Sequence, residues 1–272
     1  MNIVCIGAHP DDAEFHAGGT LTKWAALGHR VTAVSLTNGD AGHHEMPRAQ
    51  LARRRAKEAA RSSEIGGFEH LILEHPDGAL MPDLELREQV IRIIRKRGGD
   101  IVLTHRPWDY HPDHRATGAV VQDAAFMVTV PHCCPETPAL PRNPVFLYLM
   151  DRFTRPVPFR TDIAVAVTDV MDRKWAMLDA MESQFYEWLP WLAGTTDTVP
   201  ADKEARRQWL RRQWTPLLEK AARIGRPTLD LWYGAHSGSV QFAELFEICE
   251  YGYRPAEAEL TSLFPFLVQE GR

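Results

Sequence analysis

Between Ile3 and Thr104, four short apolar runs alternate with three helix-length segments, and this alternation restricts the fold more than any other feature of the chain. The runs are Ile3-Val4-Cys5-Ile6-Gly7-Ala8, Val31-Thr32-Ala33-Val34-Ser35-Leu36, Leu71-Ile72-Leu73 and Ile101-Val102-Leu103-Thr104. Runs so short and so continuously apolar read as strands covered on both faces. The intervening segments are Leu21–Leu27 before Gly28, Arg48–Ile65 before Gly66-Gly67, and Asp83–Arg97 before Gly98-Gly99. Each ends at glycine, the residue that best adopts the left-handed turn closing a helix. Strand–helix–strand repeats imply parallel pairs with right-handed crossovers. The expected fold is α/β, a doubly wound, mostly parallel Rossmann-like sheet flanked by helices.

The remaining chain extends that plan within one domain spanning 1–272. Phe146–Met150 and Ile163–Val167 read as further strands, Arg115–Met127 and Asp169–Glu187 as helices, and the proline-rich stretch Pro131–Pro144 as irregular. Residues 188–228 carry Trp188, Trp191, Trp209, Trp214 and the basic pairs Arg206-Arg207 and Arg211-Arg212. This inserted helical segment reads as a lid over a site, a packed helical hairpin or an oligomer contact, so a homo-oligomer stays open. The tail from Leu229 returns to the core and ends in a polar segment expected to fray.

Charge and composition exclude several roles. A net charge of −5 provides no basic footprint for nucleic acid. No apolar run approaches the roughly 20 residues that span a bilayer. Cysteines at 5, 133, 134 and 249 match neither a zinc ribbon nor a disulfide framework. The first residues enter a strand directly, without the pattern of a signal peptide, and a cytoplasmic location is the expectation.

Two polar clusters follow strands. His9-Pro10-Asp11-Asp12 comes after the first and His111-Pro112-Asp113-His114 after the fourth. In a parallel sheet both open on the edge where such folds bind ligands. Two histidines and one carboxylate with a fourth position open make a catalytic zinc site. Zinc lowers the pKa of its water to about 7, and a neighbouring acid can take the proton. The adjacent aspartates thus divide into one ligand and one base, with spacing leaving open which is which. Alone, Asp12 would read as a helix cap. His43, His44 and His105 read individually as solvent-facing. Gly18-Gly19 lacks the Gly-x-Gly-x-x-Gly pattern of a dinucleotide site.

Taken together, Ala8-His9-Pro10-Asp11-Asp12, Gly18-Gly19-Thr20, Thr37-Asn38-Gly39-Asp40, Arg55-x-x-Glu58, Pro76-Asp77-Gly78, His111-Pro112-Asp113-His114-Arg115 and Ala243-Glu244-x-Phe246 resemble the LmbE-like/PIG-L family of zinc-dependent N-acetylglucosaminyl deacetylases. The resemblance implies His9, Asp12 and His114 as ligands of Zn2+, with Fe2+ as the other candidate metal. It implies Asp11 as general base, His111 as oxyanion stabiliser or proton donor to the leaving amine, and Asp113 as the group orienting a neighbouring imidazole. Arg55 and Asp77 match positions that hold sugar hydroxyls, and Tyr110 lies near a position of an assisting tyrosine. The implied substrate is a small amino-sugar conjugate. The sequence departs in having Ala13 directly after the two aspartates, and in its long Trp/Arg-rich insertion. An amidase acting on a bulkier amino-sugar conjugate and a non-catalytic sugar-binding module are the alternatives. A non-haem iron oxygenase shares the ligand set, but the strand–helix alternation speaks against its largely antiparallel fold.

Overall fold

A computed structural model describes residues 1–267; the polar end expected to fray falls at 268–272, outside the described residues. The elements run β1 (Asn2–Gly7), α1 (Asp12–Ala26), β2 (Arg30–Thr37), α2 (Arg48–Gly66), β3 (Glu69–His75), α3 (Leu84–Arg97), β4 (Ile101–Thr104), α4 (Pro112–Met127), β5 (Val145–Leu149) and β6 (Ile163–Ala166). After a 3-10 turn come α5 (Met171–Asp179), a π-helical turn (Ser183–Trp188), α6 (Leu189–Leu192), α7 (Lys203–Ile224), α8 (Arg226–Tyr233), β7 (Ala243–Ile248) and α9 (Glu257–Leu263).

The strands form one sheet in the order β3-β2-β1-β4-β5-β7-β6. β3 through β5 in that order are parallel, and β7 lies antiparallel between β5 and β6. The period-two alternation of β1 divides the core. Ile3 and Cys5 join Trp24 of α1, Met177 of α5 and Trp232 of α8 on one face. Val4 and Ile6 join Ile91 and Ile94 of α3 and Val120 of α4 on the other. Each fully buried Ile or Val of this kind is worth about 1.5–3 kcal/mol, so register and faces are strongly fixed. Among the described residues no helix is long and apolar enough to cross a membrane.

Three helices differ from the sequence expectation. α1 begins at Asp12 rather than Leu21, and Gly18 and Gly19 lie inside it. The glycines serve close packing: a Cβ on Gly19 would stand 2.8 Å from Val167 and 3.1 Å from Glu244. The Glu244 carboxylate accepts the amides of Gly19 and Thr20 at 2.8 and 2.7 Å, while Lys174 donates to Glu244 at 2.6 Å and to the Phe15 carbonyl at 2.7 Å. α4 starts at Pro112, three residues before Arg115, with His111 as its N-cap. Pro112 favours this start because its fixed φ suits the first helical turn. The expected Asp169–Glu187 helix is broken into the 3-10 turn, α5 and the π-helical turn. The 188–228 insertion is helical and packs as α6, α7 and the start of α8.

Candidate metal centre

β1 and β4 are parallel neighbours, with Ile6 opposite Thr104, so the loops leaving their carboxyl ends meet. β1 turns sharply into α1 because Gly7 carries no side chain: a Cβ there would lie 2.6 Å from Asp12 Cβ. The Asp11 and Asp12 amides both donate to the His9 carbonyl, at 2.9 and 3.2 Å. This tight turn brings His9 and Asp12 to one side of the sheet edge, and α4 brings His114 from the other.

The donor atoms of these three residues converge. His9 Nδ1 lies 3.2 Å from His114 Nε2 and 3.6 Å from Asp12 Oδ2, and His114 Nε2 lies 3.4 Å from Asp12 Oδ1. A tetrahedral ion with ligands near 2.1 Å requires donor separations of about 3.4 Å. The two imidazole nitrogens and the two Asp12 carboxylate oxygens thus lie at separations close to that value, and two overlapping sets here, His9-His111-His114 and Asp12-His105-His114, could each hold an ion. All three side chains are buried or nearly so. Ring nitrogens of His111 lie close enough to those of His9 and His114, within 4.8 Å, to make it a further donor.

Each donor is aimed by a partner behind it, an arrangement typical of metal ligands. His9 Nε2 faces Asp77 Oδ1 at 3.2 Å and Asp113 Oδ2 at 3.4 Å, which leaves Nδ1 toward the centre. Asp113 is wholly buried and accepts the amides of Gly78 and Leu80 at 2.7 and 3.2 Å. His114 Nδ1 faces Asp109 Oδ2 at 3.3 Å. Asp12 Oδ2 accepts the amides of Ala8 and His9, each at 2.8 Å, and meets His105 Nε2 at 3.0 Å.

The charges follow from this packing. Burial works against protonation of His9, but hydrogen bonds to Asp113, Asp12 and Asp77 overcome it and hold the imidazole pKa well above its ordinary value. Burial likewise opposes charge on His114, yet Asp12 and Asp109 lift it to about 9. Burial would raise Asp12, but His114 and His105 pull it well below the carboxylate range. Burial would raise Asp77, but its hydrogen bond to His9 together with the charges of His9, Arg55 and His111 brings it down to about 2.

Asp11 stands apart from the donor trio. Burial raises its pKa and the Arg55 guanidinium, 3.1 Å away, opposes the rise. Arg55 is itself buried, donates to the Gly39 carbonyl at 3.1 Å and lies 4.0 Å from Asp77. Arg55 and Asp77 both border the cavity, but their polar atoms engage Asp11, Gly39 and His9. His111 caps α4 by accepting the Asp113 amide at Nδ1, and its ring lies 4.5 Å from that of His9. Burial, then His9 and His114, lowers its pKa. Tyr110 is exposed beside it, its ring 5.8 Å from that of His111.

Three histidines expected in solvent are not there. His105 is buried and stacks on His114 at 4.0 Å, because it leaves β4 directly beneath the centre. His43 pairs with Glu187 at 2.9 Å, and His44 stacks on Trp191 at 4.9 Å, because the π-helical turn and α6 fold over their loop. Sequence reasoning also missed Asp109, whose position in the histidine-rich loop was its only signal. His236 is exposed and does not border the cavity.

Over the centre lies a cavity of about 780 Å3. Its lining includes His9, Asp11, Asp12 and His114 together with residues of α1, the π-helical turn and α7.

A family profile described as "PIG-L: GlcNAc-PI de-N-acetylase" matches residues 4–125. Over 205 residues the chain is 32% identical to the diacetylchitobiose deacetylase of Thermococcus kodakarensis, covering 70% of this chain and 74% of that protein. It is also 24% identical over 191 residues to a 4-oxalmesaconate hydratase of Pseudomonas putida, covering 67% and 74%. The solved structure of an N,N'-diacetylchitobiose deacetylase from Pyrococcus horikoshii shares the fold, with a TM-score of 0.72 at 24% identity over 92% of this chain and 84% of the other.

Proposed function

Because the chain belongs to the PIG-L family, we propose that it is a metal-dependent N-deacetylase that hydrolyses the N-acetyl group of an N-acetylglucosamine-type conjugate. His9, Asp12 and His114 hold the metal, zinc in this reading. The observation that carries it is the meeting of His9, Asp12 and His114 at one sheet edge with a second acid, Asp11, beside them and paired with Arg55.

When bound, the ion supplies Lewis acidity, polarising an acetamide carbonyl and acidifying water. Asp11 accepts the proton of the attacking water; burial raises its pKa, as suits a base, and Arg55 limits the rise. His111, with Nδ1 engaged by the helix cap, offers Nε2 to the developing oxyanion. Asp113 and Asp77 fix the ring of His9, and Asp109 that of His114. Cleavage of the C–N bond returns the proton from Asp11 to the leaving nitrogen, giving free amine and acetate.

The hydratase among the relatives shows that one fold serves several reactions. Hydration adds water to a double bond and releases no fragment, so acetate is the discriminating product. Incubation of the metal-loaded protein with N,N'-diacetylchitobiose and N-acetylglucosaminyl-inositol is expected to release acetate, and a chelator to abolish the release. Absence of acetate with both substrates at full metal occupancy would overturn the assignment.

A further inference from the structure

The cavity carries an apolar chamber that amide cleavage does not require. Its wall is made by Phe15, Phe185, Trp188, Trp214, Leu217 and Leu218. Phe15 sits on α1 three residues after Asp12, one turn along the helix from the proposed metal ligand. Trp214, Leu217, Leu218 and Ala221 recur on α7 at the spacing of one helical face. Trp214, Leu217 and Leu218 are half-buried: Trp214 and Leu218 pack partly against the main core, and all three also border the cavity. The rings of Phe15, Phe185 and Trp214 hold one another at centroid distances of 5.4–6.3 Å, so the wall is formed in advance. The charged groups of the cavity lining include Lys174 and Glu244, which are paired at 2.6 Å. Lys220 is the exposed charge of the same wall.

We infer that the substrate carries an apolar alkyl or aryl group of several carbons, and that this chamber receives it. The group is attached either through the acyl carbon or through the anomeric oxygen of the amino sugar. This inference rests on the amide-hydrolase reading above. It follows from where the half-buried apolar surface lies: an unbranched sugar with an acetyl group would leave the cavity faces of Phe15, Trp188, Trp214, Leu217 and Leu218 uncovered.

The test uses the full metal-loaded chain and two substrate series, N-acyl glucosamines from acetyl to octanoyl and alkyl N-acetyl-β-glucosaminides from methyl to octyl. Binding is read by tryptophan fluorescence or calorimetry, and hydrolysis by release of amine. About 0.8 kcal/mol per buried methylene corresponds to about fourfold tighter binding per added carbon. At least one series is expected to show that gain over several carbons, and the one that does identifies the point of attachment. Leu217→Gln and Leu218→Gln, which alter half-buried positions, are expected to lower the octyl-to-methyl affinity ratio at least tenfold; Leu218→Met is expected to keep it. Flat affinity across both series would overturn the inference, even if every member is hydrolysed. A chain-length gain without hydrolysis of any member would uphold the chamber and refute the deacetylase reading.

Discussion

Replacing Glu244 by Gln should destabilise the protein by about 3–5 kcal/mol, the cost of leaving one member of a buried ion pair uncompensated. Both partners are almost fully buried, with 2% and 3% side-chain exposure, and the pair lies against the middle of α1. Lys174 takes the carbonyl of Phe15, the residue four before Gly19, while Glu244 takes the amide of Gly19 itself. With about 2.1 cal/mol/K of unfolding entropy per residue over 272 residues, the loss corresponds to a fall in Tm of about 5–9 °C. Lys174→Met alone should cost a similar amount. The double variant should cost less than the sum by about 2 kcal/mol, because removing both charges leaves neither one buried and uncompensated. Thermal and urea melts of the metal-free protein measure all three. Strict additivity, or a Tm change under about 2 °C for the single variants, would refute the coupling.

Arg55→Met should shift the acid limb of the pH–kcat profile to higher pH, because Arg55 is what lowers the Asp11 pKa against burial. kcat should therefore fall more at pH 6 than at pH 8, by less than the 10²–10⁴-fold loss on removing a general base; an unchanged limb contradicts the role. Metal uptake should release protons at pH 7, since His114 in the metal-free protein keeps its proton up to about pH 9 and a ligand imidazole must be neutral. Affinity should then rise with pH by about tenfold per unit for one released proton, and calorimetry in buffers of different ionisation enthalpy checks it. Asp113→Asn, which keeps an acceptor oxygen for only one of the Gly78 and Leu80 amides and weakens the grip on His9, should lower metal affinity about 10–100-fold, measured by competition with a chromogenic chelator.

The parallel half of the sheet was legible because its strands are short apolar runs separated by glycine-terminated helices. The antiparallel half was harder: β7 slots between β5 and β6 after an insertion of about 80 residues, a pairing no local pattern encodes. The start of α1 was obscured by Gly18 and Gly19, which look like a break until Glu244, more than 200 residues later, is seen to bind their helix. At the site, the two clusters were visible from residue type and position after strands. What surrounds the donors was not, because it depends on which ring nitrogen faces which acid. His105 looked like an ordinary loop histidine, yet it stacks on His114 and meets Asp12. Arg55 and Asp77 border the cavity and also engage Asp11 and His9, contacts that no local pattern encodes. The Trp/Arg-rich insertion divides likewise: Trp214 faces the cavity, while Trp209 is buried and donates to Thr198.

The division of labour between the adjacent aspartates is tested most directly by Asp11→Asn, assayed for metal content and acetate release in parallel. Asp11 lies outside the donor trio, so the variant should bind one metal ion per chain as the parent does. Acetate release from an N-acetylglucosamine conjugate should fall by about 10²–10⁴-fold. Loss of the metal would instead place Asp11 among the ligands, and turnover near the parent rate with the metal retained would contradict its role as the base.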